Sequence, residues 1–186
     1  MTARASLLSG LAASALFAFA SQASDRSASL YQMHEKLLNQ DGEAIDLDLY
    51  RGKPVLVTMF YGSCPATCPL IIDTLRAVER KLDEPQRQQL RVLLVSLDAE
   101  HDTPAALRQV ANARRIETSR WTLAHADAAA VRRIAAALNI QYRQLPDGQF
   151  SHSTIISALD EQGKILVQSA ELGHADPEVL RAISAR

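Results

Sequence analysis

Apolar residues along this chain recur at two spacings, and each change of spacing marks a change of element. Val55 to Phe60 and Val92 to Leu97 are nearly unbroken apolar runs of strand length, the pattern of strands covered on both faces. Between them, Leu70 to Leu82 sets Ile71, Leu75, Val78 and Leu82 on one helical face, with Arg76, Glu79 and Arg80 away from it. Leu37 to Leu47 reads as a hairpin turning at Asp41 and Gly42, and Arg51 to Pro54 as a turn into the first central strand. Thr103 and Pro104 open a helix predicted through Ile116, with threonine as cap and proline in the first turn. Trp121 to His125 reads as a short strand, and Asp127 caps an alanine-rich helix from Ala128 to Leu138. Ser153 to Leu159 and Lys164 to Gln168 form a second hairpin through Asp160 to Gly163, and Asp176 with Pro177 opens a last helix.

Strands that alternate with helices and then close on a hairpin predict an α/β fold: a mixed central sheet flanked by helices, with an N-terminal β-hairpin. At 186 residues the chain suits one domain, expected over residues 37–186 and preceded by a polar, flexible segment at 24–36.

The first residues differ in kind. Arg4 and the free amine precede an apolar stretch from Leu7 to Ala20, too short and too rich in Ser, Gly and Ala for a membrane span. It ends in small residues at Ala18 to Ala20, with a second possible site at Ser21 to Ala23, as a secretory signal does. Residues 1–23 are therefore expected to be a signal peptide, with an uncleaved anchor as the alternative, and the protein to be periplasmic. No cysteine stands directly after the apolar run, so a lipid anchor is not expected. The net charge is −1, with acids and bases interspersed and no basic stripe, which argues against nucleic acid or an anionic surface as partner. Membrane contact is expected only through the N-terminal segment or a partner.

The two cysteines, Cys64 and Cys68, stand four residues apart between the first central strand and the helix after it. Outside the cytoplasm such a pair tends toward a disulfide unless something keeps it reduced. A bridge between them would close so small a loop that it adds little stability, so chemistry is the better reason for the pair. Pro65 and Pro69 bias both cysteines away from helical geometry, and Pro69 suits the first turn of the helix. Both sulfurs are thus expected in a loop at a helix N-terminus, where thiolate formation is eased. Thiolates are soft ligands for monovalent copper, zinc or iron–sulfur chemistry. Zinc is the weaker fit, since structural zinc takes four protein ligands and no second ligand motif is present.

His152 is the candidate third ligand, placed in a loop after a Pro-Asp-Gly turn and just before a predicted strand. The same residue could equally be a hydrogen-bonding loop histidine. His34, His101, His125 and His174 read as surface or turn residues. Asp98, Glu100 and Asp102 read as a solvated strand-to-helix loop.

Phe60 to Pro69 with its two cysteines, Ser96 to Pro104, and Ser151 to Ser153 occur in the order and spacing of three motifs of the Sco/SenC family. The chain resembles that family from about Leu37 to Ser169. The resemblance implies a thioredoxin-like fold and a role in copper delivery during cytochrome c oxidase assembly. It implies copper bound by Cys64, Cys68 and His152, with Asp98 in support. Three positions depart from the family pattern: Ala66 where aspartate is frequent, Ala99 where proline is usual, and Phe150-Ser151 in place of valine–aspartate. None removes a ligand, but the loss of two acids near the site could alter copper affinity or docking.

The leading expectation is a copper metallochaperone whose partners are the apo copper-site subunit of the oxidase and a thioredoxin-like reductant. The alternative is a thiol–disulfide oxidoreductase that reduces cysteines of a copper-site partner, Cys64 and Cys68 being its redox pair.

Overall fold

Six consecutive buried residues, Val55–Phe60, form strand β3 at the middle of the sheet, and burial of both faces is possible only if both are covered. The computed structural model describes residues 29–65 and 67–185. The expected signal peptide lies outside the described residues.

The elements run β1 (Leu37–Asn39), β2 (Ala44–Ile45), β3, α1 (Thr67–Glu79), α2 (Glu84–Gln89), β4 (Arg91–Ser96), α3 (Pro104–Ala113) and β5 (Trp121–Ala126). They continue with α4 (Ala128–Ala137), β6 (Tyr142–Gln144), β7 (Phe150–His152), β8 (Ile156–Leu159), β9 (Ile165–Ser169) and α5 (Pro177–Ser184). Seven strands make one mixed sheet in the order β2-β1-β5-β4-β3-β8-β9, and β6 with β7 form a separate two-stranded hairpin. β3 is parallel to β4 and antiparallel to β8, and β4 is parallel to β5. The expected α/β fold, with its mixed sheet and N-terminal hairpin, is the one observed.

This register gathers three loops at one end of the sheet. Phe60 pairs with Ser96, so the segments leaving β3 and β4 emerge side by side. Because β8 runs the other way, its approach enters at that same end, and Thr58 Oγ1 donates to the Ile155 carbonyl at 2.7 Å. The cysteine segment, the acidic loop and the histidine segment converge there.

Several boundaries differ from expectation. α1 begins at Thr67 rather than Leu70, α3 stops at Ala113 rather than Ile116, β8 begins at Ile156 rather than Ser153, and α2, β6 and β7 were not anticipated. α3 ends early because Arg115 takes a positive φ of 51° and Ile116 N–H closes back onto the Ala111 carbonyl, a left-handed C-terminal cap. Within the segment expected to be flexible, Leu30–Gln32 form a 3-10 turn with Leu30 and Tyr31 buried. Leu30 N–H donates to the Gly163 carbonyl there, and the Tyr31 ring lies where a Cβ on Gly163 would stand. Glu35 is tied to Arg133 of α4 by two hydrogen bonds.

Candidate metal and thiol site

Cys64 and Cys68 lie together under the surface, 7% and 4% exposed, and both are present as thiols. Cys68 is not in a loop: it is the second residue of α1. Its N–H donates to Cys64 Sγ at 3.3 Å, so the sulfur satisfies one of the amides that a helix start leaves without a helical partner. Pro69 behind it has no amide to lose, which lets the helix begin before the proline.

Burial also reverses the expected ionisation of Cys68. Its thiol is pushed well up from the ordinary range, first by burial and further by its hydrogen bond with the Cys64 side chain. A bond from the Tyr61 backbone N–H acts the other way and is outweighed. A helix terminus contributes only about 0.3–1 kcal/mol near the surface, less than the loss of solvent around a buried thiolate.

Tyr61 links this pair to the histidine segment. The ring is 3% exposed. Burial, then its hydrogen bond to Cys64, pushes its phenol up to about 12, while a bond from the Phe150 backbone lowers it. The ring centroid lies 5.4 Å from that of Phe150 and 6.2 Å from that of His152, the latter edge-on at 78°. His152 is not in a loop either, since it closes β7 and pairs with Tyr142 across the small hairpin. Alternate residues of a strand share a face, which turns both Phe150 and His152 toward Tyr61.

His152 is half-buried, and burial lowers its pKa, so the ring is neutral at neutral pH. Nδ1 stands 3.2 Å from the Ser153 carbonyl. A carbonyl only accepts, so Nδ1 carries the proton and the lone pair is on Nε2. A cleft of about 370 Å³ opens beside this residue, lined by Gln141, Tyr142, Arg143, Ser151 and Ser153. The structure brings the two cysteines together and sets His152 one ring away. Among the described residues no three His, Cys, Asp or Glu side chains gather as a ligand cluster.

The acidic loop is not solvated as expected. Asp98 and Asp102 are each 5% exposed. Asp98 accepts from the backbone N–H groups of Glu100 and His101 and lies 3.0 Å from His101 Nδ1. Asp102 Oδ2 accepts from Gly62 N–H at 2.7 Å and from Ser96 Oγ at 2.5 Å, tying this loop to the cysteine segment. Burial raises the Asp102 pKa against the lowering effect of those two bonds. Tyr61 and Asp102 are thus the site residues that the sequence reading passed over. Both sit inside the quoted motifs, but only packing shows what they touch. Of the other histidines, His34 and His174 are exposed, and His125 Nδ1 meets the Asp102 carbonyl at 3.1 Å.

The SCO1/SenC family model matches residues 23–185. No curated protein matches the chain. Among solved structures, Arabidopsis thaliana ScoI with copper bound is 17% identical, with a TM-score of 0.72 over 82% of this chain and 97% of that one. Bradyrhizobium japonicum ScoI with copper bound is 21% identical, with a TM-score of 0.65 over 81% and 96%. BsSco, a member of the Sco family of cytochrome c oxidase assembly proteins described as having a disulfide switch, is 19% identical, with a TM-score of 0.67 over 87% and 98%. These likenesses show the thioredoxin-like fold of the Sco proteins. With a family match spanning nearly the whole chain and the paired thiols placed at the end of β3, this protein belongs to the SCO1/SenC family.

Proposed function

We propose that this protein carries copper as cargo and hands it to the apo copper-site subunit of a cytochrome c oxidase. Cys64, Cys68 and the Nε2 of His152 are the donors that would hold it. The observation that carries this reading is the donor set itself. Two thiols lie together at the start of α1, and a neutral imidazole with its free lone pair on Nε2 stands one ring away. Two sulfurs and one imidazole suit monovalent copper. Metal binding would displace the thiol protons, and the copper–sulfur bonds formed would offset the cost of ionising buried Cys68. His152 sits on a small hairpin outside the main sheet, beside an open cleft, where a receiving protein has access by ligand exchange. The copper-bound ScoI structures support the reading by their fold. The exported, periplasmic location and a thioredoxin-like reductant that keeps the pair reduced are parts of the same proposal.

The test is an anaerobic Cu(I) titration of the reduced protein against a competing chelator, beside His152→Ala. One tight copper per chain, markedly weakened by the substitution, is the expected result. No competitive binding by a protein with its dithiol intact would overturn it. The second reading, a thiol–disulfide oxidoreductase acting on a copper-site partner, would then stand. It is favoured by the bond from the Cys68 N–H to the Cys64 sulfur, which seats the two cysteines side by side, and by the likeness to BsSco.

A further inference from the structure

We propose that Asp102 is the positioning residue of this site: from the acidic loop its carboxylate holds Gly62, and through Gly62 it holds the turn that places both sulfurs. The proposal rests on the copper reading above and deepens it.

Each link from Asp102 to the thiols is a hydrogen bond. Gly62 N–H donates to Asp102 Oδ2 at 2.7 Å. The turn that follows spans Gly62, with the Cys64 N–H reaching the Tyr61 carbonyl at 3.3 Å. That turn sets the Cys64 sulfur where the Cys68 N–H donates to it, also at 3.3 Å, so the placement of the second cysteine follows from the first. Residues 61–65 pair with no strand, and ties of this kind decide where they sit. Asp102 is itself a fixed post. Ser96 Oγ, at the end of β4, donates to the same Oδ2 at 2.5 Å. Asp102 N–H donates to the Asp98 carbonyl at 3.1 Å, and His125 Nδ1 of β5 meets the Asp102 carbonyl at 3.1 Å. β4 and β5 are paired strands inside the sheet, so the cysteine segment hangs from a rigid support. A carboxyl only 5% exposed is costly to keep, and this one forms no ion pair among the described residues. What it supplies there is an acceptor for Gly62, held in place by Ser96.

Asp102→Ala deletes the acceptor. It is expected to weaken Cu(I) binding by the reduced protein about tenfold, the size of one hydrogen bond to a charged group. Asp102→Asn keeps an acceptor and should restore most of that loss. Ser96→Ala leaves the Gly62 bond in place but loosens the post, so a loss of about threefold is expected. Glu79→Ala, destabilising but at the far end of α1, is the control and should bind copper as wild-type does. A second readout needs no copper. Hydrogen exchange of the Cys68 amide reports whether the Cys64 sulfur still accepts it. Asp102→Ala should speed exchange at Gly62 and Cys68 about tenfold beyond any change at the β3 amides, where loss of global stability alone would appear.

If wild-type protein binds no copper, the copper reading falls, and amide exchange alone decides the role of Asp102. If wild-type binds copper, the positioning role is overturned when Asp102→Ala matches it in both measurements, or when Asp102→Asn or Glu79→Ala loses as much affinity as Asp102→Ala. Where Asp102→Ala does not fold, Ser96→Ala matching wild-type in both measurements overturns it instead.

Discussion

A β-carbon on Gly62 would stand 2.6 Å from Oδ1 of Asp102, the carboxylate whose other oxygen accepts the Gly62 N–H at 2.7 Å. The cysteine segment and the acidic loop therefore meet too closely for any side chain at position 62. Asp102 has little freedom to retreat, because Ser96 Oγ and Gly62 N–H both hold its Oδ2. Gly62→Ala should cost about 2 kcal/mol, as overpacking at a pinned site does. Urea midpoints would measure it, and adding Asp102→Ala should make the two costs less than additive.

Asp102 also predicts a pH dependence. Its folded pKa is raised, chiefly by burial. Such a group adds stability below its unfolded value, and that stability is lost as the pH rises through the folded value. Asp102→Asn keeps a neutral acceptor for Gly62 and Ser96. Urea midpoints of the variant should therefore change less than those of wild-type between about pH 4, the ordinary carboxylate value, and neutrality.

The Glu35–Arg133 pair should behave oppositely. Its hydrogen bonds with Arg133 hold the Glu35 carboxyl below the usual range. The pair's contribution is present above the ordinary carboxylate value and disappears as the pH falls through the lowered one. Glu35→Gln should be less stable than wild-type at neutral pH, and the two unfolding curves should converge in acid.

At the other end of β5, Glu79 Oε1 accepts from Arg120 at 2.6 Å and from the Trp121 indole at 3.0 Å. Glu79→Ala strips both donors of this acceptor inside the protein and leaves Arg120 with Glu117 and the Arg87 carbonyl. A loss of about 3 kcal/mol is expected, the lower part of the range for breaking a buried pair. Thermal and urea unfolding would register it without any change in copper binding.

Cys68 should resist alkylation. Its thiol is buried and its pKa raised. At about pH 8, near the ordinary thiol value, iodoacetamide should leave Cys68 of the folded, reduced protein unmodified while labelling it readily in urea. Peptide mass spectrometry resolves the two cysteines, and rapid labelling of Cys68 in the folded protein would contradict the burial argument.

Much of the architecture could be read from local pattern. The unbroken apolar runs named β3 and β4 to within a residue, the Asp41-Gly42 turn named the first hairpin, and Asp127 and Asp176 named two helix starts. These signals are local because strand pleat, turn geometry and capping act over two to four residues. Ends set by an unusual cap or by a distant partner were less legible. α1 starts early because a sulfur three residues before Thr67 accepts the Cys68 amide. Phe150 to His152 are a strand only because Tyr142 to Gln144 lie opposite.

The sequence by itself determined the class of fold, the pair of soft donors and the segment holding the third candidate, because residue type and spacing carry that information. Tertiary structure decided how those donors behave. Parallel pairing of β3 with β4 and the antiparallel entry of β8 bring three distant segments to one sheet end. Burial there raised the Cys68 thiol against the pull of the helix start and lowered His152 to a neutral ring. It also turned Tyr61 and Asp102 from ordinary motif residues into the contacts that join those segments. Solvation and contact across the fold set these properties, and neither is written in the spacing of residues along the chain.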